Sequence, residues 1–182
     1  MKILLDMDGV LVDFVGGACR AHRAENPYEN AAAAGEYVMA PLFGMTREQF
    51  WAPMREEQFW TELEPTPECY EIVDVATEAV GAENVCLLTN PCGMPAAAAG
   101  KIEWIRRHLP TFAERFLIGP AKQFCAGRHT LLIDDYDENI YHFTGAGGGV
   151  ILVPRPWNSA HQSTYTAVEW IEWCLMTADD GD

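Results

Sequence analysis

Lys2-Ile3-Leu4-Leu5-Asp6-Met7-Asp8-Gly9-Val10 opens the chain with a short apolar run that stops abruptly at two carboxylates and a glycine. A run too short for a helix, with no polar residue alternating into it, has the pattern of a parallel strand covered on both faces. Such a strand delivers the residues after it to the carboxyl edge of a sheet. Similar runs recur at Val85-Cys86-Leu87-Leu88, Phe116-Leu117-Ile118, Leu131-Leu132-Ile133 and Val150-Ile151-Leu152-Val153. Their separations leave room for helices between them, so the sequence predicts an α/β fold with a parallel sheet of about five strands.

The intervening segments carry helical periodicity. From Tyr70 to Val80, the residues Ile72, Val73, Ala76, Ala79 and Val80 share a face, and from Lys101 to Leu109 the residues Ile102, Ile105 and Leu109 do the same. A last helix is expected near Tyr165 to Met176, before an acidic Asp179-Asp180-Gly181-Asp182 tail that reads as solvated. The interval from Arg23 to Leu63 breaks the alternation, with an alanine-rich stretch, scattered aromatics, one helical pattern at Thr46 to Met54 and no core strand. The expected organisation is therefore a core of residues 1–22 and 64–182 with a small helical cap, 23–63, inserted after the first strand. Such a cap overhangs the carboxyl edge, where open α/β sheets bind ligands.

Size and charge bound the function. A chain of 182 residues, 49% hydrophobic, suits one α/β core. Its 27 acidic against 12 basic residues give a net charge of -15, which repels a polymeric nucleic acid. A small phosphate ester is compatible, because a divalent cation and one or two lysines reverse the potential locally. The six cysteines, Cys19, Cys69, Cys86, Cys92, Cys125 and Cys174, have no zinc-like spacing and are expected to be mostly small buried hydrophobes. With no signal-peptide pattern and no apolar run of transmembrane length, the reading is a reduced, cytoplasmic protein with no membrane partner; a homodimer is compatible with it.

Asp6 and Asp8 lie two residues apart around a strand end, and Gly9 permits a tight turn there. Close carboxylates raise one another's pKa unless a cation or a shared proton relieves the field, and Mg2+ is the natural hard-oxygen partner. The pair alone is equally compatible with a solvated turn. Three further strand ends add to it: Leu87-Leu88-Thr89-Asn90-Pro91, Lys122 after the third strand, and Leu131-Leu132-Ile133-Asp134-Asp135.

This set resembles the four motifs of the haloacid dehalogenase superfamily, whose fold is a Rossmann-like sheet. The resemblance implies that Asp6 is a nucleophile toward phosphorus and that Asp8 is the general acid and base. It further implies that Thr89 binds a phosphoryl oxygen, and that Mg2+ is held by Asp6, the main-chain carbonyl of Asp8, and one or both of Asp134 and Asp135. Lys122 is preferred as the motif lysine, with Lys101, expected at the start of the preceding helix, as competitor or second phosphate contact.

More of the chain is similar to one branch. The stretch Asp6 to Phe14, then Phe59-Trp60-Thr61-Glu62-Leu63-Glu64-Pro65, Lys101-Ile102-Glu103-Trp104-Ile105 with His108-Leu109, and Pro156-Trp157-Asn158 resemble the 5′(3′)-deoxyribonucleotidase family in the same order. That resemblance implies a phosphomonoesterase acting on (deoxy)nucleoside monophosphates through an aspartyl-phosphate, with Phe14 and Trp51 enclosing the nucleoside; both are also explained as packing residues. Asn90 stands where mammalian-type members carry serine, and no basic residue sits just before Lys122. Asn90 can still donate to a phosphate oxygen. The alternatives are a sugar-phosphate phosphatase of the same fold and a catalytically silent binding protein. His22, His108, His129, His142 and His161 share no metal-ligand spacing, and the Gly145 to Gly149 run reads as a flexible connection.

Overall fold

Strand β1 (Lys2–Leu5) lies in the middle of a five-stranded sheet in the computed structural model, which describes residues 1–179. The others are β2 (Val85–Thr89), β3 (Phe116–Ile118), β4 (Thr130–Asp134) and β5 (Gly149–Leu152), in the order β3-β2-β1-β4-β5, and every pairing is parallel. All five expected strands therefore form. The two-residue side-chain period splits β1, β2 and β4 between two apolar layers. Ile3, Leu5, Leu87, Leu131 and Ile133 enter the large core, while Leu4, Leu88 and Leu132 enter a smaller one with Phe143. Burial on both faces is why these strands read as continuous apolar runs.

The described helices are α1 (Phe14–His22), α2 (Met39–Leu42), α3 (Arg47–Trp51), α4 (Glu57–Thr61), α5 (Cys69–Val80), α6 (Pro95–His108), α7 (Asp137–Gly145) and α8 (Ala167–Asp179). Helix α6 begins a turn and a half earlier than its apolar periodicity suggests, because Pro95 is preorganised for the first turn and an alanine run carries the helix forward. Lys101 is consequently in mid-helix and not at its start, a correction that matters for the site. Helix α7 has too few apolar positions to show a period in the sequence; the acidic Asp137 and Glu138 in its first turn suit a helix N-terminus. Gly145 ends α7 and Gly149 starts β5, so the glycine run is a short turn. The tail beyond Asp179 lies outside the described residues.

The segment 23–63 contains only short elements: α2, α3, α4 and 3-10 turns at Pro27–Glu29, Ala31–Ala33 and Pro53–Arg55. Pro27, Pro41 and Pro53 interrupt longer helices. The helix expected over Thr46 to Met54 ends at Trp51 for that reason, and a capping box between Thr46 and Gln49 sets its start. Helix α4 seats on α6 where Gly100 leaves room: a Cβ there would lie 2.5 Å from Trp60 Cβ and 2.7 Å from the Glu57 carbonyl.

Cys69 alone among the cysteines is fully buried; Cys19, Cys86, Cys125 and Cys174 are half-buried and Cys92 is exposed. The expectation of mostly buried thiols fails because Cys86 and Cys125 flank the smaller, less covered core and Cys92 lies on a loop. Among the described residues no helix is long and apolar enough to cross a membrane.

Candidate active site

Because the sheet is parallel, the carboxyl ends of β1, β2 and β4 open at one edge. Asp6 follows β1, its N–H donating to the Ile133 carbonyl at 2.9 Å; Thr89 closes β2; Asp134 closes β4 and Asp135 follows it. Two lysines reach this edge from different directions, and each is only 2% exposed. Lys122, in the 3-10 turn after β3, places Nζ 2.6 Å from Asp6 Oδ1 and 2.7 Å from Asp134 Oδ2. Lys101, from α6, pairs with Asp8 Oδ2 and donates to Thr89 Oγ1 at 2.8 Å and to the Asn90 carbonyl at 2.9 Å. The two lysines that competed in the sequence both enter the site, one on each side.

The acidic side is overcharged. Asp6, Asp134 and Asp135 are buried and offer carboxylate oxygens within 4.8 Å of one another. Burial pushes the Asp6 carboxyl up to about 7 against the pull of Lys122, with Asp134 and Asp8 adding to the rise. Burial and then Asp134 also raise Asp135 well above the carboxylate range. Burial by itself lowers the Lys122 ammonium, but Asp6 and Asp134 outweigh it and hold the group protonated.

The two β4 carboxylates differ in what they leave free. Asp134 accepts from Lys122 and Asn139 at Oδ2 and from the Tyr136 N–H and Asn139 at Oδ1, so both oxygens are engaged. Asp135 accepts the Trp157 indole N–H at Oδ2, 2.5 Å, and its Oδ1 has no hydrogen bond among the described residues. Asp8 Oδ1 is buried and has no partner among the described residues. Three clustered carboxylates against one lysine, with oxygens of Asp6 and Asp135 uncommitted, fit a hard divalent cation.

Beside the acids lies a cavity of about 450 Å³, of a size to take a nucleotide-sized ligand, reached by Asp8, Gly9 and Asp135. Phe14 and Trp51 line it, as do Tyr37, Tyr136 and Trp157. Phe14 packs against Trp51 at 5.9 Å and Trp60 at 5.7 Å and also lines the cavity. Tyr37 stacks on Tyr136 at 3.8 Å between centroids, bridging the 23–63 segment to the turn after Asp135. Asn90 shapes its loop: its Oδ1 accepts the Cys92 N–H at 2.8 Å. The histidines stay apart, His22 against Phe50, His108 on Trp104, His161 on the Asn158 carbonyl and His142 near Glu138.

The sequence assigns no role to Tyr37, Tyr136, Asn139 or Arg155, and none to Trp157 or Asn158 beyond a family likeness. Arg155 donates from Nε to the Gly9 carbonyl at 2.5 Å and pairs with Glu68, while Thr66 Oγ1 donates to the Val10 carbonyl at 2.9 Å. Asn158 donates to the carbonyls of Asp135 and Val153, each at 2.8 Å. The available signal was positional: β5 ends at the same sheet edge as β1 and β4, so the residues after it fall beside the acids.

Comparison with known proteins gives a consistent result. Residues 1–178 match the family model described as 5′ nucleotidase, deoxy (pyrimidine), cytosolic type C protein. The chain is 30% identical over 150 residues to the cytosolic-type 5′(3′)-deoxyribonucleotidase of Homo sapiens, covering 75% of this chain and 71% of that protein. It is 29% identical over 144 residues to the mitochondrial 5′(3′)-deoxyribonucleotidase of Homo sapiens, covering 74% of this chain. The match spans 62% of the mitochondrial protein, less than two thirds of its length. Among solved structures, L-2-haloacid dehalogenase from Xanthobacter autotrophicus has a TM-score of 0.51 at 15% identity, covering 87% of this chain and 79% of that one. CbbY from Rhodobacter sphaeroides in complex with phosphate has a TM-score of 0.51 at 13% identity, covering 91% of each chain. These two likenesses show the fold.

Proposed function

The chain belongs to the 5′ nucleotidase, deoxy (pyrimidine), cytosolic type C family of the haloacid dehalogenase superfamily, and from that premise we propose that it is a Mg2+-dependent phosphomonoesterase for (deoxy)nucleoside monophosphates. The observation that carries the reading is the convergence of Asp6, Asp8, Thr89, Lys101, Lys122, Asp134 and Asp135 on one sheet edge beside an aromatic cavity.

In this reading Asp6 attacks phosphorus and forms an aspartyl-phosphate. The Asp8 carboxyl, with Oδ1 uncommitted, protonates the leaving sugar oxygen and then takes a proton from the water that hydrolyses the intermediate. Thr89 and Lys101 fix phosphoryl oxygens, Lys101 also holding Asp8, and Asn90 is a further donor at the loop. Lys122 offsets the charge on Asp6. Asp6, the Asp8 carbonyl and Asp135 would hold the ion, and Asp134, filled by Lys122 and Asn139, closes the cluster. What Mg2+ supplies when bound is neutralisation of the phosphoryl charge and of the acidic cluster. Residues 23–63 act as the cap that selects the nucleoside, through Trp51, which packs against the core residue Phe14 in the cavity wall.

The test is phosphate release from a panel of deoxynucleoside, ribonucleoside and sugar monophosphates with Mg2+. Release from deoxynucleoside monophosphates is expected, abolished in Asp6→Asn while its circular dichroism spectrum remains that of the folded protein. Preference for sugar phosphates, or no release from any ester, would refute the nucleotidase reading.

A further inference from the structure

Four indole N–H groups are committed to hydrogen bonds among the described residues, and three of them go to main-chain carbonyls: Trp60 to Met54, Trp104 to Leu63 and Trp170 to Leu152. Trp157 alone donates to a carboxylate, Oδ2 of Asp135. A carboxylate has two equivalent oxygens and rotates about its last bond, so a single donor on one oxygen fixes the direction in which the other points. Asn158 holds the backbone beneath it through the Asp135 carbonyl. Gly9, at φ +80°, closes the third side: a Cβ there would lie 2.1 Å from Asp135 Oδ2 and 3.0 Å from Trp157 Cζ2. The indole and carboxylate thus pack directly on the backbone one residue after Asp8, and Arg155 holds the Gly9 carbonyl in place.

We propose that Trp157 is a positioning residue of the metal centre, its N–H holding Asp135 so that Oδ1 faces the cavity. This rests on the reading of Asp135 as a Mg2+ ligand. Trp157 also lines the cavity and meets the Tyr28 ring at 5.4 Å, so its ring body has a packing role from which the N–H must be separated experimentally.

Trp157→Phe removes the donor and keeps an aromatic ring, whereas Tyr28→Leu alters the packing of the indole and keeps the donor. Calorimetric Mg2+ titration of metal-stripped protein is expected to give the Tyr28→Leu protein wild-type affinity and to weaken Trp157→Phe by roughly 10- to 100-fold, the range for lost outer-shell partners. The melting temperature of the stripped protein should be alike in all three. Equal affinity in Trp157→Phe, or equal loss in both variants, would overturn the assignment. No Mg2+ binding by the wild type would instead overturn the metal-site reading beneath it. If Trp157→Phe does not fold, the wild-type protein decides by nuclear magnetic resonance. The indole N–H signal with contacts to the Tyr28 ring must shift on Mg2+ addition, and an unmoved signal refutes the proposal.

Discussion

Lys122 sits between Asp6 and Asp134 and supplies the positive charge those buried carboxylates need. Removing one partner of a buried ionic cluster leaves the others uncompensated, which costs about 3–5 kcal/mol. Lys122→Met, similar in length and uncharged, is therefore expected to lower the unfolding free energy of chelator-treated protein by that amount, read from urea midpoints at neutral pH. A loss within ordinary surface-substitution scatter would show that the acids are neutralised some other way. Lys101 differs: its partner Asp8 is partly exposed, so its removal should act mainly on turnover. The sequence named both lysines but could not divide their work, because that depends on which carboxylate each Nζ meets across the sheet edge. It likewise could not distinguish Asp134 from Asp135, adjacent in the chain yet opposite in environment, one filled by Lys122 and Asn139 and the other left with a free oxygen.

At the scale of elements, the docking of α4 on α6 decides where the 23–63 segment rejoins the core. Gly100 makes it possible at a cost of about 1 kcal/mol in helix propensity relative to alanine. Gly100→Val puts a branched side chain where Trp60 Cβ and the Glu57 carbonyl already stand, and overpacking of this kind costs about 1–3 kcal/mol. Thermal unfolding should report that loss, accompanied by a change in the fluorescence of the buried Trp60. Unchanged stability would mean that α4 is not seated as described. Strands were legible because each is a short apolar run, buried on both faces in β1, β2 and β4, and α5, α6 and α8 because they keep a core-facing stripe. Helix α7 and the short pieces of 23–63 were not, since prolines and capping contacts define them more than any period.

For the whole molecule, a net charge of -15 with carboxylates gathered at one buried edge means that a cation bound there would stabilise the folded state. A ligand that binds only the folded state at 100 times its Kd stabilises by about 2.7 kcal/mol. Saturating Mg2+ should therefore raise the melting temperature of stripped protein by several degrees, reversed by chelator. An unmoved melting curve would remove the ion from the site. By itself the sequence determined the parallel sheet, the strand ends carrying Asp6, Thr89 and the Asp134-Asp135 pair, and the net negative charge, because period, run length and composition are read directly from the chain. Only the tertiary structure decided which lysine serves which carboxylate, that Trp157 and Asn158 hold Asp135, and that Tyr37 reaches Tyr136. Those contacts join residues far apart along the chain, and their partners are set by how the strands align in the sheet and how the 23–63 segment packs on it, not by any spacing a sequence displays.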